Sequence, residues 1–274
     1  MSLPNDNDPA TGHHIAGDAP MLPGTPEPIA KKETRLKKGL FITFEGGEGV
    51  GKTTQVARVV ERIAAVGLDV KTAREPGATP LGEEIRAWVK GEASTSPTAE
   101  LLLFAAARAQ LAADFLKPSL ARGGVIVLDR YVDSTLAYQG YGRGLDIDQI
   151  REVNRIATGG LLPELTVLLD ADPSTGLSRV DAAPMLFEQS GSSSKGKRLD
   201  PENERRFERE PITFHERVRN GYRELAKEGG RWCVIRADQP AHRVADAIWK
   251  RVRPLLIERG VDEKLLWRKQ AKQV

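Results

Sequence analysis

Residues 46–53 read Gly46-Gly47-Glu48-Gly49-Val50-Gly51-Lys52-Thr53, a G-x-x-x-x-G-K-T run directly behind the apolar stretch Leu40-Phe41-Ile42-Thr43-Phe44. Strand, glycine loop and helix start, in that order, are what a phosphate cradle requires. Consecutive backbone N–H groups must converge on one anion, and glycine permits both the tight turn and the close approach. A helix beginning near Lys52 adds the positive end of its dipole. Lys52 is expected to reach the outer phosphates and the Thr53 hydroxyl to serve a magnesium site. Gly46 through Thr53, with Thr54, then bind a nucleoside triphosphate. A chance glycine-rich turn would not explain why strand, loop and helix fall in register.

Two acidic residues close apolar runs, Asp129 after Val125-Ile126-Val127-Leu128 and Asp170 after Val167-Leu168-Leu169. A carboxylate at a strand end beside a phosphate loop can hold magnesium, directly or through water. Asp129 is the better candidate because Arg130 places a cation at the same strand end. Asp170 precedes Asp172-Pro173 and reads rather as a cap for the next helix. Arg74, Arg130 and Arg143 fall at strand ends or glycine turns, where guanidinium forks can clamp a second anion beside the triphosphate. No N-K-x-D follows the phosphate loop, which argues against a guanine-nucleotide switch.

These residues have to be positioned by a fold, and the pattern from Gly39 onward supplies one. Short apolar runs at 40–44, 125–128, 165–169 and 232–235, with a weaker one at 68–72, alternate with helical spacing at 55–66, 99–116, 147–157 and 241–257. Ser96 before Pro97 reads as an N-cap with proline at the first helical position, and Asp146 as the cap of a later helix. Buried strands alternating with helices imply an α/β fold of the P-loop NTPase type, a five-stranded parallel sheet in three layers with the site at the C-terminal strand ends.

The 274 residues are 40% hydrophobic and 29% charged, with a net charge of +3, too small to argue for a nucleic acid or membrane partner. Cys233 is the single cysteine, so no disulfide can form within the chain. With no signal core and no membrane-length apolar stretch, a cytoplasmic location is expected. Residues 1–37 carry no periodicity and read as a disordered extension in which His13 and His14 are solvated rather than metal ligands. Residues 38–260 form the expected domain and 261–274 a tail. Residues 183–204 mix a Ser/Gly run with basic residues, as a lid or a neutral insertion would.

Several motifs together resemble the thymidylate kinase family. They are Phe44-Glu45 before the loop, Arg74-Glu75-Pro76-Gly77, Phe104-Ala105-Ala106-Ala107-Arg108, Asp129-Arg130-Tyr131, Ser134, Ala137-Tyr138-Gln139-Gly140 and Gly142-Arg143-Gly144. The resemblance spans residues 39–258 and implies transfer of the γ-phosphoryl group of ATP to dTMP, with Mg2+ as cofactor and a homodimer as assembly. A kinase for another nucleoside monophosphate is the alternative. Phe104 and Arg108, four apart on one helix face, would stack on and hydrogen-bond the base, while Leu102 and Leu103 join the core. The family assigns Arg74 and Arg130 to the acceptor phosphate and Glu48 to the sugar 3′-hydroxyl. Ser134 and Gln139 fall beside the thymine, and Tyr138 where a 2′-hydroxyl would clash or, alternatively, in helix packing.

No arginine lies between Gly46 and Gly51, and the family pairs such a loop with a lid that supplies one. Arg205-Arg206-Phe207-Glu208 keeps the last three positions of the family's lid pattern but has Arg205 where Asp is usual. The catalytic arginine is thus expected among Arg198, Arg205 and Arg206, with Arg206 first.

Overall fold

The computed structural model describes residues 35–91, 95–182 and 206–267. Most of the N-terminal extension, the Ser/Gly segment with Arg198 and Arg205, and the end of the C-terminal tail therefore lie outside the described residues. Five strands, β1 (Leu40–Glu45), β2 (Val70–Arg74), β3 (Val125–Asp129), β4 (Leu165–Asp170) and β5 (Trp232–Arg236), form one parallel sheet in the order β2-β3-β1-β4-β5. β1 is central and all six of its residues are buried, as expected of a strand covered on both faces.

Alternate residues of β1 enter different layers. Leu40, Ile42 and Phe44 join a core with Val56, Val59 and Ile63 of helix α1 (Lys52–Ala65) and Ile248, Val252 and Leu256 from the C-terminal part of the chain. Phe41 packs on the opposite side against Leu111 and Leu116. Further along that side the strand turns polar. Thr43 bonds Thr166 at 3.2 Å, and Arg231 pairs with the buried Asp133 at 2.6 Å beside it. Glu45 ends this polar seam, fully buried.

The flanking helices are α2 (Pro80–Lys90), α3 (Pro97–Leu111), the short α4 (Lys117–Ala121) and α5 (Val132–Thr135), α6 (Ile147–Thr158), α7 (Pro173–Ala182), α8 (Ile212–Ala226), α9 (Ala241–Glu258) and α10 (Glu263–Trp267). Ser96 and Asp146 cap α3 and α6 through bonds from Ala99 N–H and Gln149 N–H, with Pro97 in the first turn, as the sequence indicated. Asp170 does not cap α7. Asp172 accepts from Ser174 N–H at 3.0 Å instead, and Asp170 is drawn to Arg219 at 2.7 Å on α8. Two π-helical segments, Ala112–Leu116 and Leu136–Gly142, interrupt helical geometry, the second carrying Tyr138 and Gln139. Wider turns of this kind concentrate at functional sites, where they re-aim side chains.

One contact ties the phosphate loop to its surroundings without any side chain. Gly49 has φ 64°, and a Cβ there would meet the Gly176 carbonyl oxygen at 1.8 Å. Reciprocally, a Cβ on Gly176 would lie 2.1 Å from the Glu48 carbonyl oxygen. Only two glycines let α7 lie directly on the loop.

Candidate active site

The C-terminal ends of β1, β2 and β3 open into a cavity of about 520 Å3. On the loop side Gly46, Gly49 and Gly51 adopt φ 137°, 64° and 92°. These conformations let the chain double back before α1 begins at Lys52. The Lys52 ammonium donates to the carbonyls of Gly46 at 3.1 Å and Gly47 at 2.6 Å. Burial first, then the nearby Arg130 cation, pushes Lys52 down to about 8, against the pull of Glu48, Asp129 and Glu45. Thr53 Oγ1 donates to Asp129 Oδ2 at 3.1 Å, so the two residues expected at a metal site meet across 76 positions of sequence. Both offer hard oxygens, which suit magnesium completed by water and phosphate oxygens. Among the described residues no cluster of three or more His, Cys, Asp or Glu side chains could hold a metal unaided.

The second half of the cavity is organised by Arg130. Its Nη2 donates to Glu48 Oε1 at 2.7 Å and to the Tyr138 hydroxyl at 3.0 Å, and Nη1 donates to Gly46 O at 3.1 Å. The guanidinium also lies 4.8 Å from the Tyr138 ring centre. Tyr138 in turn donates to Glu48 Oε1 at 2.7 Å. Burial alone would raise the Glu48 carboxyl, but Arg130, Lys52 and the Tyr138 bond outweigh it and hold Glu48 at about 2. Glu48 is therefore an ionised, acceptor-only group at neutral pH.

Arg74, Phe104, Arg108, Ser134 and Gln139 also line the cavity. Arg74 is exposed at the rim, 3.7 Å from Glu83. Arg108 is buried and bound to Glu75 at 2.7 Å, Asn154 at 2.6 Å and the Tyr131 carbonyl at 3.3 Å. These bonds fix its orientation in the cavity wall. Gln139 donates to the buried Glu100 at 2.8 Å. Leu103 is partly buried, but Leu102, expected in the core, is 54% exposed. With Leu101, Leu102 and Leu103 in succession, α3 is apolar on more than one face, so spacing does not say which leucine points inward.

Two arginines do not reach the cavity. Arg143 pairs with Glu210 at 2.6 Å and Glu100 at 3.4 Å. Arg206 pairs with Glu100 at 2.8 Å and donates to the Val89 carbonyl at 2.8 Å. Phe207 and Glu208, the next two residues, do line it, and Phe207 stands 6.3 Å from Phe104 and 5.9 Å from Tyr138 by ring centres. Arg86, Lys90 and Arg179 complete a basic lining that sequence reading missed. Arg86 and Lys90 lie one turn apart on α2, a periodic signal that carried no indication of which face would meet the site.

A thymidylate kinase family profile matches residues 44–190. The thymidylate kinase of Thermomicrobium roseum is 46% identical over 213 residues, covering 77% of this chain and 93% of the relative. The chain belongs to the thymidylate kinase family. The thymidylate kinase of Deinococcus radiodurans is 44% identical over 219 residues, 79% of this chain and 98% of that one. The solved thymidylate kinase structure from Ehrlichia chaffeensis aligns with a TM-score of 0.60 at 29% identity, over 78% of this chain and 99% of that chain. The chain is thus an ATP-dependent nucleoside monophosphate kinase acting on dTMP. Among the described residues no helix is long and apolar enough to cross a membrane.

Beneath this thymidylate kinase site lies Glu45, pushed up to about 7 by burial and then by Asp133, against the opposing Ser134, Arg130 and Tyr222. Because the folded value exceeds the ordinary 4.5, the folded state binds the proton more tightly. The associated stability is complete below about 4.5 and is lost as pH rises through about 7. In urea titrations between these two values, Glu45→Gln is expected to flatten the fall in stability with rising pH. An unchanged slope would assign the dependence to other groups.

Proposed function

We propose that the cavity residues divide the dTMP kinase reaction between a donor half, built on the phosphate loop, and an acceptor half, built on Arg130. The observation that carries this division is the Arg130–Glu48 pair, which joins the end of β3 to the loop at 2.7 Å. Gly46 through Thr54 would bind the ATP phosphates, with Lys52 exchanging the Gly46 and Gly47 carbonyls for phosphate oxygens. Thr53 and Asp129 would hold Mg2+, which when bound neutralises phosphate charge. Arg130 and Arg74 would hold the acceptor phosphate, whose second ionisation near pH 6 leaves its attacking oxygen anionic at neutral pH, so no general base is needed. The Glu48 carboxylate would accept from the sugar 3′-hydroxyl. Phe104 and Arg108 would take the base, with Ser134 and Gln139 beside it and Tyr138 against the sugar. Catalysis then rests on alignment and charge neutralisation.

The same reading gives a kinase domain over residues 38–260, a cytoplasmic location and no nucleic-acid or membrane partner. A homodimer is supported by exposed apolar residues on three helices, Trp88 on α2, Leu102 on α3 and Ile156 on α6, of which α3 packs against both others. Light scattering should give twice the 30.0 kDa chain mass. A monomer at micromolar concentration would remove this part.

The lid arginine would stabilise the transferring phosphoryl group. Arg206 must leave Glu100 and the Val89 carbonyl to do so, with Arg198 and Arg205 as the alternatives. Arg206→Ala should cut kcat by about 1000-fold while leaving KM for dTMP nearly unchanged. The same signature in Arg198→Ala with a neutral Arg206→Ala would move the role along the chain. Lys52→Ala should abolish turnover. In a coupled assay over dTMP, dUMP, dCMP, dGMP, AMP and thymidine, dTMP should be preferred, and a different preferred acceptor would overturn the base-site assignment.

A further inference from the structure

Tyr222 stands on α8, 92 positions beyond Arg130 and outside the stretch matched by the family profile. Its side chain is 1% exposed, yet its hydroxyl does not simply find one partner. It donates to Glu45 Oε2 at 2.9 Å, the Ser134 hydroxyl donates to the same oxygen at 2.5 Å, and the two hydroxyl oxygens themselves stand in hydrogen-bond contact at 2.8 Å. The other carboxylate oxygen is pinned by Tyr131 N–H at 2.8 Å. A hydroxyl that gives its single proton to a carboxylate turns its lone pairs the other way. Here they face Arg130, whose Nη1 donates to Ser134 Oγ at 3.3 Å and to the Tyr222 hydroxyl at 3.4 Å. The Tyr222 ring also stands edge-on to Tyr138, 6.3 Å between centres, and Tyr138 holds the other side of the same guanidinium.

We propose that Tyr222 is a positioning residue for the acceptor phosphate, acting through Arg130. Glu45 orients two hydroxyl dipoles, and those dipoles hold Nη1 of the guanidinium while Glu48 holds Nη2. The inference rests on the reading that Arg130 holds the phosphate of dTMP. Ser134 gains a second role in the same way. Its hydroxyl points to Glu45 and Arg130, so its contribution to acceptor binding runs through the arginine.

A purely structural tyrosine and a positioning one differ in what they do to two ligands. dTMP carries the phosphate that Arg130 would hold, and thymidine does not. Calorimetric titration of Tyr222→Phe, which keeps the ring, at about pH 8, where Glu45 is ionised, should show dTMP binding weakened about five- to tenfold with thymidine binding unchanged. Equal weakening of both ligands, or of neither, overturns the proposal. Glu45→Gln keeps the shape and removes the charge that orients both hydroxyls, and is expected to give the same selective loss should Tyr222→Phe not fold. Equal effects on both ligands there also overturn it. Arg130→Lys separates the underlying reading from this one. If it leaves dTMP affinity intact, the phosphate assignment itself fails. If it lowers dTMP affinity while Tyr222→Phe does not, Arg130 stands and the role of Tyr222 falls.

Discussion

Everything in this site is arranged around a half-buried ion pair between a strand-end arginine and a loop glutamate. Arg130 has φ 68°, a left-handed conformation that costs a non-glycine residue on the order of 1–3 kcal/mol unless its surroundings fix it. They do. Its N–H donates to the Phe44 carbonyl at 2.9 Å, continuing the β1–β3 ladder, while its side chain folds back over the loop to Glu48. Removing either partner would leave the other charge poorly compensated in a half-buried site, so loop and strand end keep one relative position. Arg130 holds Glu48 ionised against burial, and it adds to the burial that lowers Lys52 while Glu48 pulls the other way.

The polar seam of β1 explains how a sheet with an apolar interior can deliver charge to its end. Phe41, Thr43 and Glu45 share one face of the strand, and polarity rises toward the C-terminal end. Thr43 meets the Thr166–Asp133–Arg231 group, and Glu45 meets the hydroxyls of Ser134 and Tyr222. Each buried polar side chain on this path has a partner of its own, which is what allows polarity so deep in the fold.

What could be read from the chain was what is encoded locally. The glycine loop, its lysine and threonine, the buried strands and the caps Ser96 and Asp146 depend on neighbours within a few residues. The meeting of Thr53 with Asp129 followed from a rule about strand ends in parallel sheets. Contacts chosen by competition between distant groups were not legible. Asp170 left its expected cap for Arg219, because a guanidinium on α8 offers more than a backbone N–H. Arg206 and Arg143 converge on Glu100, a carboxylate with no exposure on a mostly apolar helix. Tyr222 sits at a core position of an amphipathic helix, and nothing in its spacing marks the hydroxyl that reaches Arg130.

The bare contact between Gly49 and Gly176 makes α7 a fixed wall of the phosphate loop. Neither residue has a side chain that can be protonated, oxidised, modified or displaced by solvent, so chemistry cannot act on the joint itself. From Gly176 to Ala182 the helix runs about 9 Å at 1.5 Å per residue. Any side chain at either position would part α7 from the loop, so the helix fixes the loop by backbone alone.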